Sequence, residues 1–295
     1  FRGNVLFERG NIGAVYRIIP TKILTLDELK APEIFKTITQ KKRGLVVVTG
    51  PTGSGKSTTL AAMIDHINNS RAEHIITVED PIEFVHQSRK SKITHREVGT
   101  DTKSFSEGLK RALRQDPDII LVGEMRDLET IALAITASET GHLVFGTLHT
   151  SSAAKTINRI IDVFPTHQQA QIRSMLSEGL YAVIAQQLLR TKTGGRVACH
   201  EIMLNLSSIA NLIREEKIFQ IPTIMVTSRK LGMITNDQNL FRLIQEGVIS
   251  EQVALAHAHF PKVLTEQLRK KAEEYVPPEP TENQPQAPGS PQRPA

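Results

Sequence analysis

One short run constrains this chain more than any other. Gly50-Pro51-Thr52-Gly53-Ser54-Gly55-Lys56-Ser57-Thr58 follows the β-branched stretch Leu45–Thr49 and precedes a segment of helical spacing that extends to about Asn68. Its first eight residues fit the G-x-x-x-x-G-K-[ST] pattern of a phosphate-binding loop. Glycines without Cβ let successive backbone N–H groups turn inward around a phosphate, and the N-terminus of the following helix adds partial positive charge. The Lys56 ammonium can reach the β- and γ-phosphates, and the Ser57 hydroxyl is placed to ligate Mg²⁺. A bound nucleoside triphosphate is therefore expected, with Gly50 to Thr58 as the binding segment.

The surrounding pattern supplies a scaffold for such a loop. His74 to Val78, Ile119 to Val122 and Leu143 to Leu148 are short apolar runs of the buried-strand kind, separated by helical segments near Phe105–Arg114 and Leu128–Ser138. Strands alternating with helices imply an α/β fold with a mostly parallel sheet. Beyond Thr150 the spacing predicts helices over Ala153–Ile161, Gln168–Leu176 and Leu180–Leu189. One strand, Arg196 to Met203, then follows the Gly194-Gly195 turn, with further helices over Ser207–Glu215 and from Asp237 to about Ala272.

Upstream, residues 1–20 alternate apolar and polar around a Gly-rich break, which predicts a hairpin. The chain begins at Phe1, and the hairpin is expected to be the remnant of a small N-terminal domain. Residues 21–43 are expected to be a linker in which Thr25 caps a helix with Glu28 three positions on. Residues 44–274 would form the nucleotide-binding domain with its helical C-terminal part. Seven of the 15 prolines lie between Pro277 and Pro294, so residues 275–295 are expected to be a disordered tail.

Other acids and histidines gather near the loop. In Asp116-Pro-Asp118-Ile-Ile-Leu-Val-Gly123-Glu124, a strand of four aliphatic residues would present Glu124 at its carboxyl end, where ligands of parallel sheets bind. There its carboxylate could orient and deprotonate an attacking water. Glu79-Asp80-Pro81-Ile82-Glu83 ends another strand; such a cluster either holds Mg²⁺ through water or is a polar turn. His142 and His149 bracket the Leu143–Leu148 strand, with His149 better placed to sense a γ-phosphate.

These motifs, in this order, resemble the secretion ATPase superfamily, where they are called the Walker A, Asp box, Walker B and His box. GPTGSGKSTTLAAMID, EDPIEFVH, GEMRDLETI and ETGHLVFGTLHTSSAAKTINRIIDVFP look most like the PilT-like retraction ATPases of type IV pili, from about Phe1 to Glu215. The resemblance implies a RecA-like P-loop NTPase core, a PAS-like N-terminal domain, and ATP with Mg²⁺ as the ligands. It also implies a homo-hexamer that hydrolyses ATP between subunits to power pilus retraction and twitching motility. Its partners would be the pilus platform protein in the inner membrane and a second retraction ATPase, and its location would be cytoplasmic, peripheral to that membrane. Glu124 corresponds to the family's catalytic glutamate, Glu79 and Glu83 to its acid-box carboxylates, and Arg2 and Arg17 to arginines that reach the nucleotide phosphates. Ser57, Glu83 and Glu124 would hold Mg²⁺, directly or through water. Without the family, both arginines would be unremarkable strand residues.

One departure bears on the output. The family's Ala-Ile-Arg-Asn-Leu-Ile-Arg-Glu segment, tied to retraction, reads here Ser208-Ile-Ala210-Asn211-Leu-Ile-Arg214-Glu215. An accessory retraction-like subunit is therefore the first alternative, and a pilus-extension or type II secretion ATPase the second. The four-cysteine zinc module common in that second group is missing: the chain has one cysteine, Cys199, expected to be a buried thiol. A net charge of +5 prompts a third reading, a nucleic-acid motor, but aromatics are 4% of residues and Trp is absent, so base-stacking platforms are not expected. The basic clusters Lys41–Arg43, Arg89–Arg96 and Arg269–Lys271 are read as solvated faces.

Overall fold

The computed structural model describes residues 2–19 and 22–273. The expected Pro-rich tail lies outside the described residues. Residues 2–19 hold a hairpin of β1 (Arg2–Glu8) and β2 (Asn11–Arg17), turned at Arg9 and Gly10, both with positive φ. Its register sets Arg2 opposite Arg17.

The following segment is less of a free connector than its composition suggests. Thr25 and Glu28 make the expected reciprocal bonds, Thr25 N–H to Glu28 Oε2 at 2.8 Å and Glu28 N–H to Thr25 Oγ1 at 3.1 Å, but they close a run of turns. The helix comes later, as α1 (Ile34–Thr39), and it sends Phe35 and Ile38 fully into the core.

The rest is built on a seven-stranded sheet. In chain order it comprises β3 (Gly44–Thr49), α2 (Lys56–Ser70), β4 (His74–Glu79), β5 (Lys92–Glu97), α3 (Phe105–Ala112), β6 (Ile119–Val122), α4 (Leu128–Glu139), β7 (Leu143–Leu148), α5 (Ala153–Asp162), α6 (Thr166–Gly179), β8 (Leu180–Arg190) and β9 (Arg196–Leu204). The strand order is β5-β4-β6-β7-β3-β8-β9, parallel throughout except for β9, which pairs antiparallel with β8. Every residue of β3, β6 and β7 is buried, as central parallel strands covered on both faces must be. The expected α/β class and mostly parallel sheet are what the chain adopts.

Residues 180–189 were expected as a helix and form β8. The run Leu180-Tyr-Ala-Val-Ile-Ala is apolar at nearly every position, so helical spacing matches it by default. Pairing with β3 on one side and β9 on the other satisfies its backbone and buries both faces. β5 went unread because its polar sequence suits an edge strand with one neighbour.

The described residues end in α7 (Ser207–Arg214), α8 (Ile221–Thr227), α9 (Asn236–Gln245), α10 (Glu251–His257) and α11 (Pro261–Glu273). The helices expected from Asp237 to about Ala272 are thus α9, α10 and α11, separated at Gly247, which has positive φ, and ahead of Pro261. A small second core of Leu189, Cys199, Leu240, Leu243, Ile249, Ala254 and Leu264 holds these helices against the β8–β9 hairpin. Cys199 is buried as expected, and burial pushes its thiol up to about 12.

Candidate nucleotide site

Parallel strands end together, and here the carboxyl ends of β3, β4, β6 and β7 bring the sequence motifs into one place. The loop between β3 and α2 has positive φ at Gly50, Gly53 and Gly55, the last being the residue that caps α2. At Gly50 the requirement is steric as well: a Cβ there would sit 2.1 Å from the carbonyl oxygen of Gln186. Lys56 is buried, and its ammonium donates to the carbonyl oxygens of Gly50 at 2.8 Å and Pro51 at 3.2 Å. Burial lowers the lysine's pKa, opposed by the charges of Glu124 and Glu83.

Glu124 lies one residue beyond β6, after Gly123, and on the same side. Its Oε1 is 3.0 Å from His149 Nε2 and 2.5 Å from Arg126 Nε, and the other ring nitrogen of His149 is 3.5 Å from Lys56 Nζ. A continuous chain of polar contacts thus runs from the loop lysine through His149 to Glu124. Burial raises the Glu124 pKa, but the hydrogen bond from Arg126 and the nearby His149 outweigh it, and the net shift is downward. The carboxylate is therefore ionised at neutral pH, with Arg126, whose side chain is largely exposed, holding one of its oxygens. His142 is at the opposite end of β7, bound to the Ala137 carbonyl at 3.0 Å.

The acids flanking Glu124 are structural. Asp118 accepts from the His74 backbone N–H at 2.8 Å, and Asp127 caps α4 through the Thr130 N–H, also at 2.8 Å. The strand end itself is pinned by Gly123 N–H to Val78 O, Met125 N–H to Thr147 O and the Thr147 hydroxyl to Gly123 O. Glu79 ends β4 with its side chain mostly buried, and burial raises its pKa despite a bond from Thr77. Glu83 is exposed, with its backbone N–H 3.5 Å from Glu79 Oε2.

Two supports carry no motif signal. Gln186, on β8, is buried beneath the loop; its Nε2 donates to Ser54 O at 2.7 Å and its Oε1 accepts from Thr59 Oγ1 at 2.7 Å and His200 Nε2 at 3.1 Å. Glu201 on β9 accepts from the Ala153 and Asn236 backbone N–H groups, tying α5 and α9 together. Only the β3–β8–β9 pairing brings these residues to the loop.

Residues 17–235 match the type II/IV secretion system protein family. The chain belongs to that family. It is 58% identical over 262 residues to the type IV pilus retraction ATPase PilT of Pseudomonas aeruginosa, covering 89% of this chain and 76% of the relative. It is 57% identical over 259 residues to the twitching motility protein of Neisseria gonorrhoeae, covering 88% of this chain and 69% of the relative. A crystal structure of the pilus retraction motor PilT with bound ADP superposes with a TM-score of 0.86 at 48% identity, over 90% of this chain and 76% of that one. Among the described residues no helix is long and apolar enough to cross a membrane.

Proposed function

We propose that this chain is an ATPase that powers type IV pilus retraction. The observation that carries hydrolysis is the contact of His149 with both Lys56 and Glu124 at the mouth of the glycine loop. The retraction output rests on the likeness to PilT and to the twitching motility protein.

In this reading the segment Gly50 to Thr58 binds the phosphates of ATP through its backbone N–H groups, Pro51 having none, and Lys56 exchanges its carbonyl partners for the β- and γ-phosphates. Glu124 orients the attacking water and takes its proton once Arg126 releases the carboxylate. His149, which joins lysine to glutamate, senses the γ-phosphate. The hydroxyl and carboxylate oxygens of Ser57, Glu83 and Glu124 are the hard donors that Mg²⁺ prefers, and the ion, when bound, neutralises phosphate charge. Among the described residues no three Asp, Glu, His or Cys side chains form a cage, which suits an ion held largely by substrate phosphates and water.

Arg2 and Arg17 belong to the same reading. The family resemblance pairs them with arginines that reach nucleotide phosphates, and we assign them to the phosphates of a neighbouring subunit in a homo-hexameric ring. Residues 44–274 form the motor domain, 21–43 a linker anchored through Phe35 and Ile38, and 1–20 belong to the small N-terminal domain. The ring works in the cytoplasm against the platform protein, alongside a second retraction ATPase.

Glu124→Gln tests the chemistry. ATP binding is expected to stay near that of the parent while turnover falls at least about a hundredfold, as loss of a general base requires. Turnover within a few-fold of the parent refutes the assignment. Sizing the protein with and without an ATP analogue and Mg²⁺ tests the ring, and a monomer in both conditions overturns it.

A further inference from the structure

A small recess lies behind the start of α2. Its volume is about 30 Å³, and Ser57, Glu79, Phe84, His86, Gly123 and Thr147 are among its lining residues. Two of these residues carry a buried polar atom without a hydrogen-bond partner: Oε1 of Glu79 and Nδ1 of His86. An unpaired buried polar atom is costly, so two on one recess call for a common explanation.

His86 is held firmly. It is 6% exposed, and its ring stacks on His95 with centroids 5.9 Å apart and planes 16° from parallel. Its backbone N–H donates to His95 Nε2 at 3.1 Å. The same Nε2 is 3.2 Å from the His86 carbonyl oxygen, and Nδ1 of His95 is 2.9 Å from Thr77 Oγ1. Thr77 in turn serves Glu79, and His95 Nδ1 is itself 4.0 Å from Glu79 Oε1. His86, His95 and Thr77 thus form a brace around one carboxylate at the end of β4. The brace faces Ser57, the residue after the loop lysine.

We propose that His86 is a positioning residue for ATP hydrolysis: its Nδ1–H holds the free Oε1 of Glu79 across the recess through one water, so that the carboxylate is fixed on the Ser57 side of the phosphate loop. The space suffices, since one water needs about 10–15 Å³ of such volume. Burial, with the charges of His95 and Arg89, lowers the His86 pKa to about 4, so the ring stays neutral at working pH. The inference rests on the ATPase reading above. His86 touches no substrate in it and acts only through Glu79.

The test compares His86→Phe and His86→Asn in the full chain by steady-state ATP hydrolysis. Phe keeps a flat ring against His95 and removes the polar atom; Asn returns a donor near the Nδ1 position. His86→Phe is expected to lower kcat about tenfold with KM for ATP within about twofold, and His86→Asn to recover kcat to within about threefold of the parent. A kcat for His86→Phe within twofold of the parent overturns the proposal, as does His86→Asn performing no better than Phe. Where His86→Phe does not fold, His86→Gln replaces it, because Gln carries its amide one bond too far: Asn active and Gln impaired supports the role, and equal rates refute it. A parent with no turnover at all strikes the ATPase reading, whereas the ratios among variants strike only this one.

Discussion

Gln186 has no motif to advertise it, yet its side chain holds the phosphate loop from beneath. Gln186→Met keeps its length and volume and deletes both polar atoms. The carbonyl of Ser54, the hydroxyl of Thr59 and Nε2 of His200 each lose a partner, and all three residues are at most 5% exposed. At about 1–3 kcal/mol for each orphaned buried group, and with incomplete additivity, the loss is about 3–5 kcal/mol. In a unit of this size each kcal/mol moves the melting midpoint by about 2–4 °C, so a drop of about 10 °C is expected. The loop should also loosen. If about 1.4 kcal/mol of its preorganisation is lost, affinity for a fluorescent ATP analogue weakens about tenfold. Thermal melts with and without nucleotide, and a binding titration, measure both effects. A midpoint within about 2 °C of the parent together with unchanged affinity refutes the bracing argument, because the three vacated groups would then have to be satisfied elsewhere at no cost.

Three further outcomes follow from the same site. Gly50→Ala places a Cβ 2.1 Å from the Gln186 carbonyl oxygen at a φ of +143°, so nucleotide binding should be lost, and affinity within threefold of the parent argues against the close approach. Arg126→Ala removes the strongest influence lowering the Glu124 pKa and leaves burial to raise it; the acid limb of the kcat/KM profile should move to higher pH, and an unmoved or lower limb contradicts the pairing. His200 is held near 4 by burial, reinforced by Arg242, so the unfolded chain takes up a proton before the folded one does as pH falls. Its contribution is intact above about 6.5 and drains at up to about 1.4 kcal/mol per pH unit down to about 4. The melting midpoint of the parent should therefore fall more steeply than that of His200→Asn between pH 6.5 and 4.5, and parallel curves discard the linkage.

The candidate phosphate loop was largely legible in the amino-acid order because its parts are local. Strand, glycine turn and helix are contiguous from Gly44 to Ser70, and the loop's binding capacity follows from where Cβ is missing and where amides point. Glu124 could be placed for the same reason, at the carboxyl end of four aliphatic residues. The helices after Thr150 were mostly evident from spacing, while residues 180–189 misled because an unbroken apolar run carries no period.

Sheet order was not written in any local pattern, and it decides the rest. Setting β7 beside β3 brings His149 between Lys56 and Glu124, and setting β8 on the other side of β3 slides Gln186 under the loop. The pairing of β4 with β5 likewise stacks His86 and His95 around Glu79. Residue type and neighbouring sequence thus gave the phosphate grip and its expected acid. The partners that hold them depend on which strands hydrogen-bond side by side, because contacts between residues far apart in the chain arise only when burying apolar faces selects one arrangement of the sheet.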